Sequence, residues 1–496
     1  MNPALCILFS LALLLTGCAR SPTPINTVIF ARGADSQKLD PADVDDGESI
    51  KVLVNICEGL VRFRPGTTEP EPCLATRWDI SPDGLVWTFH LRDGVRFHDG
   101  TPLTADSALF SFRRQLRREH PDATFAYWSA MFNVVTNVEA RANSLIFYLK
   151  EPHAPLLASL CIPAASLISP NTPNQRTPVG TGPYRFVSWQ PNDRIILERN
   201  PDYWDTPPAI EKLIYRVVPD NTTRLIQLRR GEITGMDGLD PNDLPTVQAD
   251  RNLQLLTAPG LNVAYLAFHC EKIDLPTRRA IAAAVRKDDL LRTIYRGTAQ
   301  IAFNPLPPFI PGHLDNPPSL TPPADFTPPP RPLRLHVMTN PRPYLPNPLR
   351  AADMIKADCA RAGIPIEIVP NEWGAHLTRT QNGEHELALL GWVGDNGDAD
   401  NFLYVLLDRD TATLGSALNI CFWKNDAYHE LMLAARRETN PARRAELYRQ
   451  AQLIIHAEVP MLPLAHAQNL VALRANLTGV LLQPNGDLLF HRASLR

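Results

Sequence analysis

The chain has 496 residues, with 49 Lys and Arg against 52 Asp and Glu, a formal net charge of −3 and 44% hydrophobic residues. That balance argues against a nucleic-acid partner, which calls for a basic face, and the length exceeds what one core supports, so two or three domains are expected. Proline is conspicuous at 48 residues, about twice the usual share, and its excess falls between elements.

Leu5 to Leu15 form an apolar run shorter than the roughly 20 residues of a bilayer-spanning helix. Leu15-Thr16-Gly17-Cys18 follows and resembles a bacterial lipobox, although no Lys or Arg precedes the run. Residues 1–17 therefore read as a lipoprotein signal peptide, with Cys18 as the lipidation site and 18–27 as a tether. The rest of the protein is expected to reach the membrane only through that lipid.

Thr27 to Arg32 (TVIFAR) is a β-branched strand. From Glu48 to Leu60, apolar Ile50, Leu53, Val54 and Cys57 recur at helical spacing. Pro82-Asp83-Gly84 before alternating Trp87, Phe89 and Leu91 predicts a hairpin with one buried face, and a helix runs on through Phe112. Tyr184 to Phe186 and Lys212 to Val218 are strands, and Asn221 to Arg230 is a helix closed by Gly231. Pro259 to Phe268 is an apolar strand crossing into another domain. Arg278 to Tyr295 is amphipathic at helical spacing and ends near Gly297. The prolines between Pro305 and Pro332 forbid a continuous helix and predict an extended surface excursion. Leu333 to Met338 is a strand, Leu349 to Ala362 a helix stopped by Gly363, and Asn440-Pro441 opens a helix to about Glu458. Alternating strands and helices indicate an α/β protein.

The run from Ala75 to Arg113 contains Trp78, Ser81, Asp83-Gly84, Trp87-Thr88-Phe89, Gly94-Val95, Phe97-His98-Asp99-Gly100 and Leu103-Thr104-Ala105-Asp106. It resembles the signature of the bacterial family 5 extracellular solute-binding proteins, with one residue fewer before Asp106. Gly180-Thr181-Gly182-Pro183-Tyr184 and Asn200-Pro201-Asp202-Tyr203-Trp204 continue the likeness. Leu390 to Phe402 (LGWVGDNGDADNF) is similar to the periplasmic dipeptide-binding receptors of ABC transporters. The resemblance implies a two-lobed periplasmic-binding-protein fold of type II in its three-domain variant. Residues 28–57, 178–262 and 470–496 would form domain I, 58–177 an inserted domain II and 263–469 domain III. It further implies a lipid-anchored receptor, extracytoplasmic and monomeric, that captures short peptides and hands them to ABC permease and ATPase subunits. Relatives on this scaffold bind haem, glutathione, murein tripeptide or antimicrobial peptides, and a sensor role uses the same closed form.

A dipeptide carries an ammonium and a carboxylate at a nearly fixed separation, and burying either alone is costly. A receptor needs one carboxylate and one guanidinium, the latter because its planar fork holds a carboxylate bidentately. By resemblance, Asp395 is the ammonium ligand and Arg342, in Asn340-Pro341-Arg342-Pro343-Tyr344, is the carboxylate ligand. Trp392 and Trp373 are candidates to wall the cleft. Gly391 and Gly394 are candidates to bring backbone against the peptide.

Neither an EF-hand order among Asp395, Asp398 and Asp400 nor CxxC spacing occurs, so no metal or cofactor is expected. The sequence has no Gly-x-Ser-x-Gly, His-Glu-x-x-His or phosphate loop, and no enzymatic activity is expected. Cys57, Cys73, Cys161, Cys270, Cys359 and Cys421 remain beyond the signal segment. Of these, Cys161, Cys270 and Cys359 read as buried free thiols, and Cys57–Cys73 is the one pair to consider for a disulfide.

Overall fold

The computed structural model describes residues 26–44, 46–116, 132–172, 174, 176–319, 321, 324 and 326–496. The signal segment and Cys18 lie outside them. None of the described helices is long and apolar enough to cross a membrane.

Strand Thr27–Arg32 forms where TVIFAR predicts it and pairs in parallel with Lys212–Val217, Thr27 opposite Lys212. Its alternation places Val28 and Phe30 in one apolar core and Ala31 in another, so the strand is covered on both faces. Lys212–Val217 continues antiparallel into Arg194–Arg199, and that strand into Tyr184–Gln190. A second sheet of Asn262–Phe268, Leu387–Val393, Leu333–Met338 and Ile366–Asn371 is built the same way. Ala264, Leu266 and Phe268 enter one core while Val263, Tyr265 and Ala267 enter another.

Two stretches of chain join these sheets. Strand Leu253–Pro259 belongs to the first and Asn262–Phe268 to the second, so the single strand expected from Pro259 to Phe268 is interrupted at Gly260-Leu261. The long strand Met461–Arg474 spans both, pairing with Asn262–Phe268 early and with Leu253–Pro259 late. A register shift between Ala264 and Tyr265 accommodates Pro463, which has no N–H to give the ladder. At the crossing, the Asn262 side chain donates to Ala467 O (2.9 Å) and accepts from Ala467 N (2.9 Å). A Cβ on Gly260 would lie 2.1 Å from Ala467 O, so only glycine fits there.

A separate antiparallel sheet holds the predicted hairpin, Ala75–Ile80 with Val86–Leu91, turned at Gly84 with φ +73°. Trp87, Phe89 and Leu91 pack with Phe147 and Phe112 in a core of their own, under helix Ala105–Gln115. Thr104 caps that helix by accepting from Ser107 N.

Several expectations are corrected. The helix after Asp46 spans only Gly47–Leu53 and stops well before Leu60. Beyond it the chain turns to bury the Glu58 carboxylate, which accepts from Thr181 Oγ1 (2.8 Å), Tyr203 OH (2.7 Å) and Trp204 Nε1 (2.8 Å). The stretch Arg278–Tyr295 is two helices, Leu275–Ala284 and Lys287–Ile294. Asp358 Oδ2 accepts from Arg286 N (2.8 Å), replacing the carbonyl a continuous helix would have supplied. The proline-dense segment contains neither helix nor strand among its described residues, yet it is not all surface. Leu306 and Ile310 are buried in a core shared with helix Pro441–Glu458, whose Gln452 Nε2 donates to Gly312 O (2.7 Å). Cys57 and Cys73 are free thiols, each packed into a different apolar core.

Candidate functional site

Strands Leu333–Met338, Ile366–Asn371 and Leu387–Val393 run parallel; beyond their carboxyl ends come Arg342 and Asp395 in loops and Trp373 at the start of helix Trp373–Gln381. In open α/β sheets this edge is where ligands bind.

The Asp395 loop starts as strand Leu387–Val393 leaves the core. Gly394 N donates to Leu261 O (2.7 Å), tying the loop to the crossing between the sheets. A Cβ on Gly394 would lie 2.8 Å from both Leu261 and Phe402, and one on Gly391 2.2 Å from the Tyr344 ring. These glycines therefore serve close packing of the protein's own side chains, a role the sequence reading did not assign them.

Three aspartates follow within six positions, and their surroundings separate them. Asp398 is buried, but the Arg444 guanidinium grips both of its oxygens and holds the carboxyl below its usual range. Asp400 is pushed up to about 6 by burial, against the pull of Arg436, whose Nε lies 3.4 Å from Oδ1. Asp395 has no cation among the described residues. Burial pushes it up to about 6, and its Oδ2 accepts a single amide hydrogen bond, from Asn401 Nδ2 at 3.0 Å. Asn401 Oδ1 accepts from both Asp395 N (3.0 Å) and Trp392 Nε1 (2.9 Å). Asp395 is thus a desolvated carboxylate with no ion-pair partner among the described residues.

Arg342 sits in a tight turn in which Arg342 N donates to Leu345 O (3.1 Å) and Leu345 N to Arg342 O (2.9 Å). Its guanidinium lies 3.4 Å from the centroid of the Trp373 ring, a cation–π stack. Its Nε is buried without a hydrogen-bond partner, and among the described residues no carboxylate pairs with it. Burial lowers its proton affinity, and the neighbouring Tyr344 and Glu372 offset this only in part. Tyr344, two residues on, is the side chain that covers Gly391. The structure therefore gathers the named residues on one sheet edge, Arg342 and Asp395 following neighbouring strands about 4.8 Å apart. Trp373 meets Arg342 and Trp392 meets the Asp395 support. The sequence reading missed Asn401 and Tyr344. Neither type carries a motif of its own; hydrogen bonds identify Asn401 and packing over Gly391 identifies Tyr344.

Across from this edge stands the separate antiparallel body. Asn396 Nδ2 donates to Ser159 Oγ (3.3 Å), Ala154 N to Arg436 O (2.8 Å), and Arg437 pairs with Glu151 (3.1 Å). A Cβ on Gly397 would lie 2.1 Å from Thr68 Cβ. These contacts are few and mostly polar, and the two sides belong to different apolar cores. Among the described residues, Asp408, Asp410 and His429 have spacing that could suit a metal. His429 Nδ1 hydrogen-bonds both Asp408 oxygens (2.9 and 3.0 Å), and Asp408 Oδ1 also accepts from Asp410 N (3.0 Å), so the group is internally satisfied.

The family described as bacterial extracellular solute-binding proteins, family 5 Middle, matches residues 69–413. The chain is 33% identical to the dipeptide-binding protein of Escherichia coli K12, over 95% of this chain and 94% of that one. It is 34% identical to heme-binding protein A of Haemophilus influenzae, over 95% and 92%. Among solved structures it is similar to the ABC transporter-associated periplasmic binding protein DppA from Helicobacter pylori in complex with peptide STSA. That likeness has a TM-score of 0.78 and 35% identity, covering 95% of this chain and 98% of that one.

Proposed function

Because the chain belongs to the bacterial extracellular solute-binding proteins of family 5, we propose that it captures di- or short peptides by closing its lobes over them. It then delivers them to the permease and ATPase subunits of an ABC importer and performs no chemistry on them. The observation that carries this reading is that two half-buried charges on one sheet edge have no ion-pair partner among the described residues, Asp395 for the peptide ammonium and Arg342 for its carboxylate. Trp373 and Trp392 flank them, and neither asks anything of the peptide's side chains, which favours breadth.

Closure follows from how the bodies are joined. Only the Pro259–Asn262 crossing and strand Met461–Arg474 link the two large sheets among the described residues. The same layout supports dividing the mature chain into domain I (28–57, 178–262, 470–496), domain II (58–177) and domain III (263–469). The open form samples closure, and a zwitterion favours the closed form by bridging groups that otherwise stay unpaired. Cys18 is the proposed lipid anchor, with residues 1–17 removed.

Calorimetry of the delipidated protein with Ala-Ala and with N-acetyl-Ala-Ala tests this. Binding of the free dipeptide alone is expected; failure of both overturns the peptide reading. The likeness to a heme-binding protein motivates a second reading on the same scaffold. A Soret band formed on mixing with haem, and left unmoved by dipeptides, would favour it.

A further inference from the structure

Within one short loop, Asp398 and Asp400 are each held by an arginine, while Asp395 is held by a neutral amide. We propose that Asn401 is the positioning residue of the ammonium site, fixing the Asp395 carboxylate through one oxygen and locking the Trp392 indole with the same amide. The inference rests on the peptide reading for the ligand, and on geometry alone for the positioning.

Asn401 is buried near the start of helix Asp400–Leu407 and makes hydrogen bonds to three different groups. Its Oδ1 accepts from the Trp392 indole and from the Asp395 backbone, and its Nδ2 donates to Asp395 Oδ2. An amide is neutral, and its adjacent oxygen and NH2 let it accept and donate at once in this fork. A cation in its place would neutralise Asp395, as Arg444 does Asp398, and a bound ammonium would then gain little. An apolar residue would leave a buried carboxylate and an indole N–H unpaired. Beyond Asn401 and its own backbone N–H, no described residue bonds the Asp395 carboxylate, which leaves acceptor capacity for a ligand.

The substitution Asn401→Asp separates positioning from plain structure. It keeps an oxygen for Trp392 and Asp395 N, and a carboxylate at a helix start favours the helix. A merely structural Asn401 would therefore leave stability and the titration of Asp395 unchanged. A positioning Asn401 would place a second carboxylate against Asp395 and remove its amide donor, so the pair would hold a proton to higher pH.

Carboxyl 13C NMR of the ligand-free protein reads this directly. In Asn401→Asp the titration of Asp395 is expected to move up by at least about one pH unit, with the melting temperature held at about pH 4, where the carboxyl pair keeps its protons. An unmoved titration overturns the proposal. In a separate variant, Asn401→Ala should weaken Ala-Ala binding at least about tenfold at pH 7. If the unsubstituted protein ignores Ala-Ala, the peptide reading fails while the ligand-free titration still decides the role of Asn401.

Discussion

Asn396 and Ser159 lie 237 residues apart in the chain, and the Asn396 amide donates to the Ser159 hydroxyl at 3.3 Å. The bond joins the loop that carries Asp395 to the body on the far side of the cleft. Next to it, Gly397 touches Thr68 so closely that an added Cβ would lie 2.1 Å from the Thr68 Cβ. The proposed ammonium ligand and this contact thus lie two residues or fewer apart in one loop.

Gly397→Ala is expected to block closure while each lobe stays folded. Small-angle scattering should show the larger, open radius of gyration even with saturating dipeptide, at an unchanged ligand-free melting temperature. Adding Thr68→Gly, which removes the clashing group, should restore the compact form. No effect of Gly397→Ala on compaction would mean that this contact does not belong to the ligand-bound state.

The two charges should be separable by ligand chemistry. Asp395→Ala is expected to weaken dipeptide affinity by about 2–5 kcal/mol, the range for removing one member of a buried charge pair. Arg342→Ala should harm free-carboxylate dipeptides far more than C-terminally amidated ones. Equal losses for the two ligands would remove Arg342 from the carboxylate site.

The Asp395 carboxyl is pushed up to about 6 by burial, and an ammonium binds only its charged form. A raised carboxyl disfavours the folded, ionised state as pH climbs from its ordinary value through 6, and a bound ammonium relieves that cost. Affinity should therefore be level above pH 6 and fall about tenfold per unit below it. Calorimetry from pH 4.5 to 8 tests this, and a flat profile across pH 6 would contradict it. Proton release on binding near pH 6, read in buffers of different ionisation enthalpy, is the companion signature.

At the crossing between the sheets, Gly260→Ala would drive a methyl group against Ala467 O and the Asn262 amide. Overpacking of this kind costs about 1–3 kcal/mol, so chemical denaturation should show a lower midpoint. The Asn262–Ala467 pair joins the two crossing stretches of chain. The substitution should therefore also change the dipeptide affinity, and an effect on stability alone would argue against a hinge role.

Local chemistry was legible where its partners sit within a few residues. The Pro82-Asp83-Gly84 turn, the Asn440 cap and the stop at Gly363 each act over a single turn of chain, and each stands where the sequence places it. The amphipathic stretch Arg278–Tyr295 misled because its break comes from Asp358, a carboxylate 72 residues away from Arg286. The apparent helix to Leu60 misled for the same reason, since Glu58 turns the chain toward Thr181, Tyr203 and Trp204.

By itself the sequence determined the α/β alternation, the family likeness and the short list of Asp395, Arg342, Trp373 and Trp392. It could not rank the aspartates of the Asp395 loop, because acidic side chains two to five positions apart look alike until their counter-charges are known. Those counter-charges, Arg436 and Arg444, come from helices that reach the loop only when the lobe folds. Tertiary structure decided that Asp398 and Asp400 are paired and that Asp395 is not. The physical reason is that a carboxylate's role depends on what neutralises it, and neutralisation is set by proximity in space.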